Sequence, residues 1–184
     1  IRWMVSCLVY LPFYYFSLLN RDGEWWLDIR RLDILGPIMN ARLDLAKQKG
    51  CDGVEPDNVD AYAQGEQETG FDLTYNDQLK YNGWLAETAH SKDLSIGLKN
   101  DLGQIEDLVQ QFDWALNEQC WQYNECNLLQ PFIQGNKAVF NCEYEPMTNC
   151  PEALQSKISS IQAPLSLNGQ NMKMCNQNGQ LIFF

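Results

Sequence analysis

The hydrophobic and polar positions along the chain alternate between two kinds of stretch. Runs with the i, i+3, i+4 spacing of an amphipathic helix start near Leu35, Thr74, Ile105, Leu128 and Pro151. Shorter β-rich runs separate them, and these predict strands at residues 24–30, 52–54, 94–98, 113–118, 137–142 and 171–174. Because helices alternate with strands, we expect a parallel sheet.

An acidic loop is predicted directly after the second of these strands. The preceding helix stops at Gly50, which suits the left-handed position that follows a helix. Pro56 fixes φ and removes a backbone donor, so the strand must end before it. Four polar side chains therefore crowd together just past the end of a strand: Glu55, Asp57, Asn58 and Asp60. Stability alone does not require carboxylates so close to one another.

Local signals also predict the limits of three later elements. Thr74 and Asp77 form a capping box that opens a helix running to about Lys92. Residues 61–73 are predicted to be a polar loop, because they contain glycines and lack apolar periodicity. The stretch 151–161 is predicted to be one helix with Leu154, Ile158 and Ile161 facing inward.

Polar clusters follow the predicted strands in turn. They are Asp28, then Glu55 and Asp57, then Lys99 and Asp101, then Glu118, then Glu143 and Glu145. In a parallel α/β sheet those strand ends share one face, and a barrel gathers them into one basin. No glycine-rich nucleotide motif follows any strand, which favours the barrel over an open nucleotide-binding sheet. The predicted fold class is therefore α/β of the (β/α)8 TIM-barrel type. Only five or six strands can be counted, so we expect a barrel incomplete at its N-terminus.

Residues 1–24 are an atypical apolar segment that precedes the partial barrel domain at residues 25–184. The run at 1–19 has no clear period and is broken by Pro12. It is short for a membrane span, so the sequence predicts no confident span. It fits the core of a signal peptide or a core strand whose partners are missing, and both interpretations stay open.

Charge and cysteine content narrow the class of protein. A net charge of -11 makes nucleic acid an improbable partner and favours a cationic one. Seven cysteines with one histidine and no Cys-x-x-Cys indicate disulfides in an oxidising compartment rather than a zinc site. The short interval between Cys120 and Cys126 predicts a disulfide there. We expect a secreted or cell-wall protein, a monomer, without metal or cofactor.

The acidic strand ends point to glycoside hydrolysis, since the chain shows no Ser-His pair and no metal-type cluster. That chemistry needs one carboxyl group to protonate the leaving oxygen and a second to attack or to activate water. Asp57 and Glu118 are the best pair because they follow different strands. The apolar run before Glu118 suggests partial burial, which would favour its neutral, proton-donating form. On this argument alone, a carbohydrate-binding barrel remains an alternative.

Several segments, taken in order, resemble glycoside hydrolase family 114. They are Trp-Leu-Asp-Ile-Arg at 26–30, Ala-Arg-Leu-Asp-Leu-Ala-Lys at 41–47, Gly-Cys-Asp-Gly-Val-Glu-Pro-Asp-Asn-Val-Asp at 50–60, Thr-Gly-Phe at 69–71, Leu-Lys-Asn-Asp at 98–101 and Asn-Glu-Gln-Cys at 117–120. The resemblance implies a TIM-barrel endo-α-1,4-polygalactosaminidase acting on a cationic, galactosamine-rich polysaccharide. Residues 1–24 do not resemble the first strands of that family.

The resemblance also implies roles for individual residues. Asp57 would be the nucleophile and Glu118 the general acid/base of a retaining mechanism, while four residues would line the sugar site: Asn58, Lys99, Asn117 and Tyr144. The remaining substrate-binding candidates come from the polar clusters at the strand ends: Glu55, Asp60, Asn100, Asp101, Gln119 and Glu143. The alternative is an incomplete, inactive barrel that binds glycan or has no function.

Overall fold

The computed structural model describes residues 16–18, 25–167 and 169–183, and the chain divides into two compact units, Ile1–Gly97 and Leu98–Phe184. Within the segment 1–24, only strand β1 (Phe16–Leu18) lies in these ranges; it pairs antiparallel with β2 (Trp25–Leu27). The rest of that segment, with the choice between signal peptide and core strand, lies outside the described residues.

The first unit continues with helices that alternate along the chain with the two strands of a short parallel pair. After β2 it contains α1 (Leu32–Gln48), β3 (Gly53–Val54), α2 (Ala61–Gln64), α3 (Glu66–Thr69), α4 (Tyr75–His90) and the start of β4 (Ser95–Lys99). The prediction of a polar loop at 61–73 is wrong, because two short helices occupy most of this segment. Ala61 and Thr69 are buried, and the Thr69 hydroxyl donates to the Gly65 carbonyl at 3.0 Å. Burial and side-chain hydrogen bonds thus form helical turns that apolar spacing does not reveal.

Helix α4 begins where its capping box predicted. The Thr74 Oγ1 accepts a hydrogen bond from Asp77 N at 3.2 Å, and Asp77 Oδ2 accepts one from Thr74 N at 2.9 Å. The two bonds satisfy backbone donors that the first helical turn leaves without partners. They fix the start of the helix whose buried face supports the acidic loop after β3.

Strand β3 needs a glycine at its first position. Gly53 pairs in parallel with Ser95 of β4. A Cβ atom at Gly53 would collide with the Ser95 side chain and lie 3.0 Å from the Ser95 carbonyl oxygen. The close approach of these two backbones therefore requires the absence of a side chain.

The second unit carries most of the sheet. It contains the end of β4, a 3-10 turn (Leu102–Gln104), α5 (Ile105–Leu108), β5 (Trp114–Glu118), a second 3-10 turn (Cys126–Leu129), α6 (Gln130–Gln134), β6 (Ala138–Glu143), α7 (Cys150–Gln155), β7 (Ser159–Gln162), β8 (Lys173–Cys175) and β9 (Leu181–Phe183). Strands β5, β6 and β7 are parallel, whereas β8 and β9 are antiparallel additions. The core of this unit includes Phe112 and Phe132, both fully buried.

The prediction of one helix over 151–161 is wrong in its second half, and Leu154, predicted to face inward, is 50% exposed. Helix α7 ends at Gln155, and Lys157 has a positive φ of 59°. The chain then alternates between buried and exposed side chains and becomes strand β7. Ile158 and Ile161 are three residues apart, a spacing that puts them on one face of a helix but on opposite faces of a strand, so it favoured the wrong element.

The α/β prediction is confirmed, since helices and a mixed sheet alternate along the chain. The strand order among the described residues runs from β3 to β9 without returning to β3. These strands therefore do not close into a barrel.

Two disulfides staple the second unit. The predicted bond between Cys120 and Cys126 is present, and Cys150 is bonded to Cys175. Of the other described cysteines, Cys51 and Cys142 are not in disulfides. The first bond closes the loop after β5, and the second joins the start of α7 to β8.

Candidate active site

The carboxylate of Glu118, the last residue of β5, has donors on both of its oxygens. Lys99 Nζ lies 2.9 Å from Glu118 Oε2, and the Tyr144 hydroxyl donates to Glu118 Oε1. Asn100 Nδ2 donates to Oε2 at a longer 3.4 Å. Lys99 is 4% exposed, whereas the Glu118 side chain keeps 27% of its surface open. The ammonium is thus buried, and the carboxylate still faces solvent on one side.

These donors decide the charge of Glu118. Burial by itself would raise its pKa, but the hydrogen bond from Tyr144, the charge and hydrogen bond of Lys99, and the hydrogen bond from Asn100 outweigh it and lower the pKa. The expectation that burial would favour the neutral form is therefore wrong. The partners that reverse the sign come from β4 and from the residue after β6, at positions remote in sequence from Glu118.

The Lys99-Asn100-Asp101 turn holds the end of β5. Asn100 Oδ1 accepts hydrogen bonds from Glu118 N at 2.9 Å and from Asn117 Nδ2 at 3.2 Å, and Asn100 N donates to Leu116 O at 2.9 Å. Asn100 has a positive φ of 52°, a conformation that asparagine tolerates better than most residues. This turn therefore fixes both the backbone and the side chain of Glu118.

A second network lies beside the first, on the neighbouring strands. Asn117, Asn141 and Ser160 are in register on β5, β6 and β7, and all three are buried. Glu143 Oε1 accepts from Asn141 Nδ2 at 2.8 Å and from Trp121 N at 2.9 Å. Buried Asn117 and Glu143, both predicted to bind substrate, thus make hydrogen bonds within the protein.

The loop after β5 is held by that network. Cys120 N donates to Asn141 Oδ1 at 3.2 Å, and the Trp121 indole N–H donates to Ser160 Oγ at 3.0 Å. Gln119, at a positive φ of 63°, donates through Nε2 to Gln122 Oε1 at 2.6 Å. Sequence reasoning missed Trp121 and Asn141 as functional supports. The aromatic residue inside a cysteine-bracketed segment was the available signal.

The acidic loop that contains Asp57 belongs to the first unit. Asp57 and Asn58 are exposed, Glu55 and Asp60 are half-buried, and the peptide bond between Asp57 and Asn58 is cis. Asp60 Oδ2 accepts from Gln64 Nε2 at 3.1 Å. The other predicted site residues lie in the second unit.

Two buried amides on α4 anchor this loop. Asn82 Nδ2 donates to the carbonyl of buried Val59 at 2.9 Å, and Asn82 Oδ1 accepts from Gln78 Nε2 at 2.9 Å. Both amide residues are fully buried. Sequence reasoning did not select them, although two amides four residues apart on the inward face of a helix are an unusual pattern. They connect α4 directly to the residue next to Asn58.

Across the described ranges, no group of three or more His, Cys, Asp or Glu side chains is arranged to hold a metal ion. No helix in those ranges is both long and apolar enough to cross a membrane. The described site around Glu118 contains a carboxylate, an ammonium, an amide and a phenol.

Comparisons with known proteins agree with the residue pattern. A model of glycoside-hydrolase family GH114 matches residues 17–180. The crystal structure of Aspergillus fumigatus Ega3 in complex with galactosamine is similar to this chain, with a TM-score of 0.76 and 35% sequence identity over 88% of this chain and 68% of that chain. A search of curated proteins gave no match. The chain belongs to glycoside-hydrolase family GH114.

Proposed function

We propose that this protein is an endo-acting glycosidase that cleaves α-1,4-galactosaminide bonds inside a galactosamine-containing polysaccharide. We further propose that residues 25–184 belong to a TIM-barrel domain of which the described strands are part. Family membership supports glycoside hydrolysis. The galactosamine bound to the similar Ega3 structure supports the substrate class.

The observation that carries the proposal is the environment of Glu118. A carboxylate at the end of a parallel strand, open on one side and held by Lys99 and Tyr144, is positioned and charged by its neighbours. Retaining glycosidases need such a group to alternate between proton donor and proton acceptor. We propose Glu118 as this acid/base residue and Asp57 as the nucleophile, the latter on its place in the Glu-Pro-Asp-Asn motif.

The proposed reaction has two steps. In the first, the Asp57 carboxylate attacks the anomeric carbon while Glu118 gives its proton to the leaving oxygen, which leaves a glycosyl ester on Asp57. In the second, Glu118 takes a proton from water, and the resulting hydroxide displaces Asp57 from the sugar. The Lys99 ammonium stabilises Glu118 in the ionised state that the second step requires.

The remaining candidates would bind the sugar. We propose this role for the exposed or half-buried residues Glu55, Asn58, Asp60, Asn100, Gln119 and Tyr144. We propose that buried Lys99, Asp101, Asn117 and Glu143 act through the residues that they hold. A polymer with free amines is cationic, and the net charge of -11 would draw it towards the protein. Two disulfides favour secretion, and we propose a monomer.

The test is hydrolysis of a purified α-1,4-galactosamine polymer, followed by product size. We expect the chain to shorten the polymer, and Asp57→Asn and Glu118→Gln each to lose most turnover, by roughly 10³-fold or more. Glu55→Gln should cost less. Glu145→Gln is the matched control, because Glu145 is an exposed acid next to Tyr144. Folded protein that leaves the polymer intact would favour the inactive, glycan-binding alternative, and full activity in Asp57→Asn would refute its assignment.

A further inference from the structure

A pocket lies in the second unit, apart from the residues assigned to catalysis. None of its lining residues was predicted to take part in the reaction. Its volume is about 550 Å³, within the range of small-molecule sites. The lining comes from the disulfide-closed loop, from the segment leading into α6 and from the end of α7: Trp121, Asn124, Cys126, Asn127, Gln130 and Ser156. The pocket therefore begins three residues after Glu118 in the chain.

The Trp121 ring is held in one orientation. Its backbone N–H donates to Glu143 Oε1 at 2.9 Å, and its indole N–H donates to Ser160 Oγ at 3.0 Å. Glu143 and Ser160 are both buried, whereas Trp121 remains half-buried with part of its surface open. A ring fixed before the ligand arrives loses little entropy on binding, and its flat apolar face suits the C–H face of a pyranose.

The side chains that line the pocket beside that ring are uncharged. The side chains of Asn124, Asn127 and Gln130 each place an amide in the lining. Each amide offers two donors and an acceptor, and Ser156 adds a hydroxyl. These groups match the alternating donors and acceptors of sugar hydroxyls. No carboxylate is among the lining side chains, so none of them would pair with the ammonium group of galactosamine.

We propose that this pocket is a secondary carbohydrate-binding site that takes an uncharged hexopyranose unit, stacked on Trp121 and hydrogen-bonded by the surrounding amides. The proposal draws on membership of a glycoside-hydrolase family but not on the assignment of Asp57 and Glu118. A polysaccharide that contains uncharged units as well as galactosamine would then be held at two places of different chemistry.

The probe is methyl α-D-galactopyranoside, with binding followed by saturation-transfer NMR and by titration. The double variant Asn127→Ala/Gln130→Ala should bind it about tenfold more weakly, the loss expected for one or two hydrogen bonds. Gln134→Ala is the matched control, since Gln134 lies on the same short helix, is exposed and does not line the pocket. Glu118→Gln should lose hydrolysis and keep this binding, which separates the two proposals.

A second pocket variant, Ser156→Leu, tests whether weaker binding results from the altered pocket rather than from a misfolded protein. Ser156→Leu would place an apolar side chain in the pocket without removing an amide, and it should weaken binding of the same probe. Binding of galactosamine should change little in either pocket variant. The proposal is overturned if the parent protein does not bind methyl α-D-galactopyranoside. It is equally overturned if the pocket variants bind as well as the parent, or if Gln134→Ala weakens binding as much as they do.

Discussion

Replacing Lys99 with methionine tests the charge state assigned to Glu118. The change removes an ammonium that is 4% exposed and lies 2.9 Å from Glu118 Oε2, and it keeps a side chain of similar length. The lost charge-assisted hydrogen bond is worth about 1.5–3 kcal/mol. The desolvation penalty of a buried ion, several kcal/mol, disappears with it. We therefore expect Lys99→Met to change the free energy of unfolding less than Glu118→Gln, which leaves the ammonium buried.

The pH dependence of stability gives the first measurement. Because the folded-state pKa of Glu118 is lowered, its stabilising contribution is present above the unfolded-state pKa and is lost as pH falls through the folded-state value. Lys99→Met raises the folded-state pKa, so denaturant unfolding between neutral and acid pH should show a flatter loss of stability than in the parent protein. An unchanged slope would mean that Lys99 does not set the charge of Glu118.

The pH dependence of hydrolysis gives a second measurement of the effect of Lys99 on Glu118. A proton donor must be protonated, so kcat/KM falls as pH rises through its pKa. With the pKa of Glu118 raised in Lys99→Met, that falling limb should move to higher pH. A nucleophile must instead be ionised, and then activity would be lost at the acid end. A shift of the acid limb would therefore refute the proposed role of Glu118 and make it the nucleophile.

Lys137→Met is the matched control for both measurements. Lys137 is half-buried, and its ammonium donates to the carbonyl oxygens of Val109 at 2.5 Å and Phe112 at 2.6 Å rather than to a carboxylate. Its loss should cost about 1–3 kcal/mol of stability. It should leave both limbs of the activity profile where they are. A limb that moves equally in Lys137→Met would show that general destabilisation, not the charge at Glu118, causes the shift.

The remaining predictions concern the disulfides and the cap of α4. Thiol titration of denatured, unreduced protein should find no more than three free thiols among the seven cysteines, and seven would rule out both disulfides. Replacing both cysteines of a pair by serines should lower the free energy of unfolding, because the disulfide no longer restricts the unfolded chain. The expected loss is about 2 kcal/mol for Cys120–Cys126 and about 3.5 kcal/mol for the longer loop of Cys150–Cys175. A larger loss for the shorter loop in denaturant titrations would contradict this reasoning. Thr74→Ala should lower the free energy of unfolding by about 1 kcal/mol, because it removes the cap of α4. Thr148→Ala, at an exposed position, is the control. Equal stability of the two variants would argue against a role for the cap.

The elements that the sequence predicted well have signals that are local in the chain. The capping box at Thr74 depends on residues three apart, and α4 begins one residue later, at Tyr75. The Cys120–Cys126 disulfide depends on a short interval in the same way. Strand β7 was missed because the spacing of Ile158 and Ile161 favours a helix, whereas pairing with β6 makes this segment a strand. Pairing between strands is a property of the fold, so no window along the chain contains it.

The contrast between local signals and three-dimensional neighbours also applies to the site. Motifs at strand ends identified Lys99, Asn100 and Glu118, the family resemblance added Tyr144, and the structure brings these four together. They did not predict the charge of Glu118. Burial could be inferred from the apolar residues before it, but the donors that oppose burial are distant in sequence. The sign of a pKa shift depends on the difference between such terms, and that difference requires the three-dimensional neighbours.

Acidic residues at neighbouring strand ends carry different functions because their partners differ. Glu118 has a buried ammonium, a phenol and an open side, so its carboxylate can meet a ligand. Glu143 lies on the adjacent strand but is 3% exposed, with one carboxylate oxygen accepting from Trp121 N and Asn141 Nδ2. In this environment the Glu143 carboxylate holds the loop after β5 through Trp121 N. Position after a parallel strand therefore selects the candidates, and the donors around each carboxylate decide which of them are able to react.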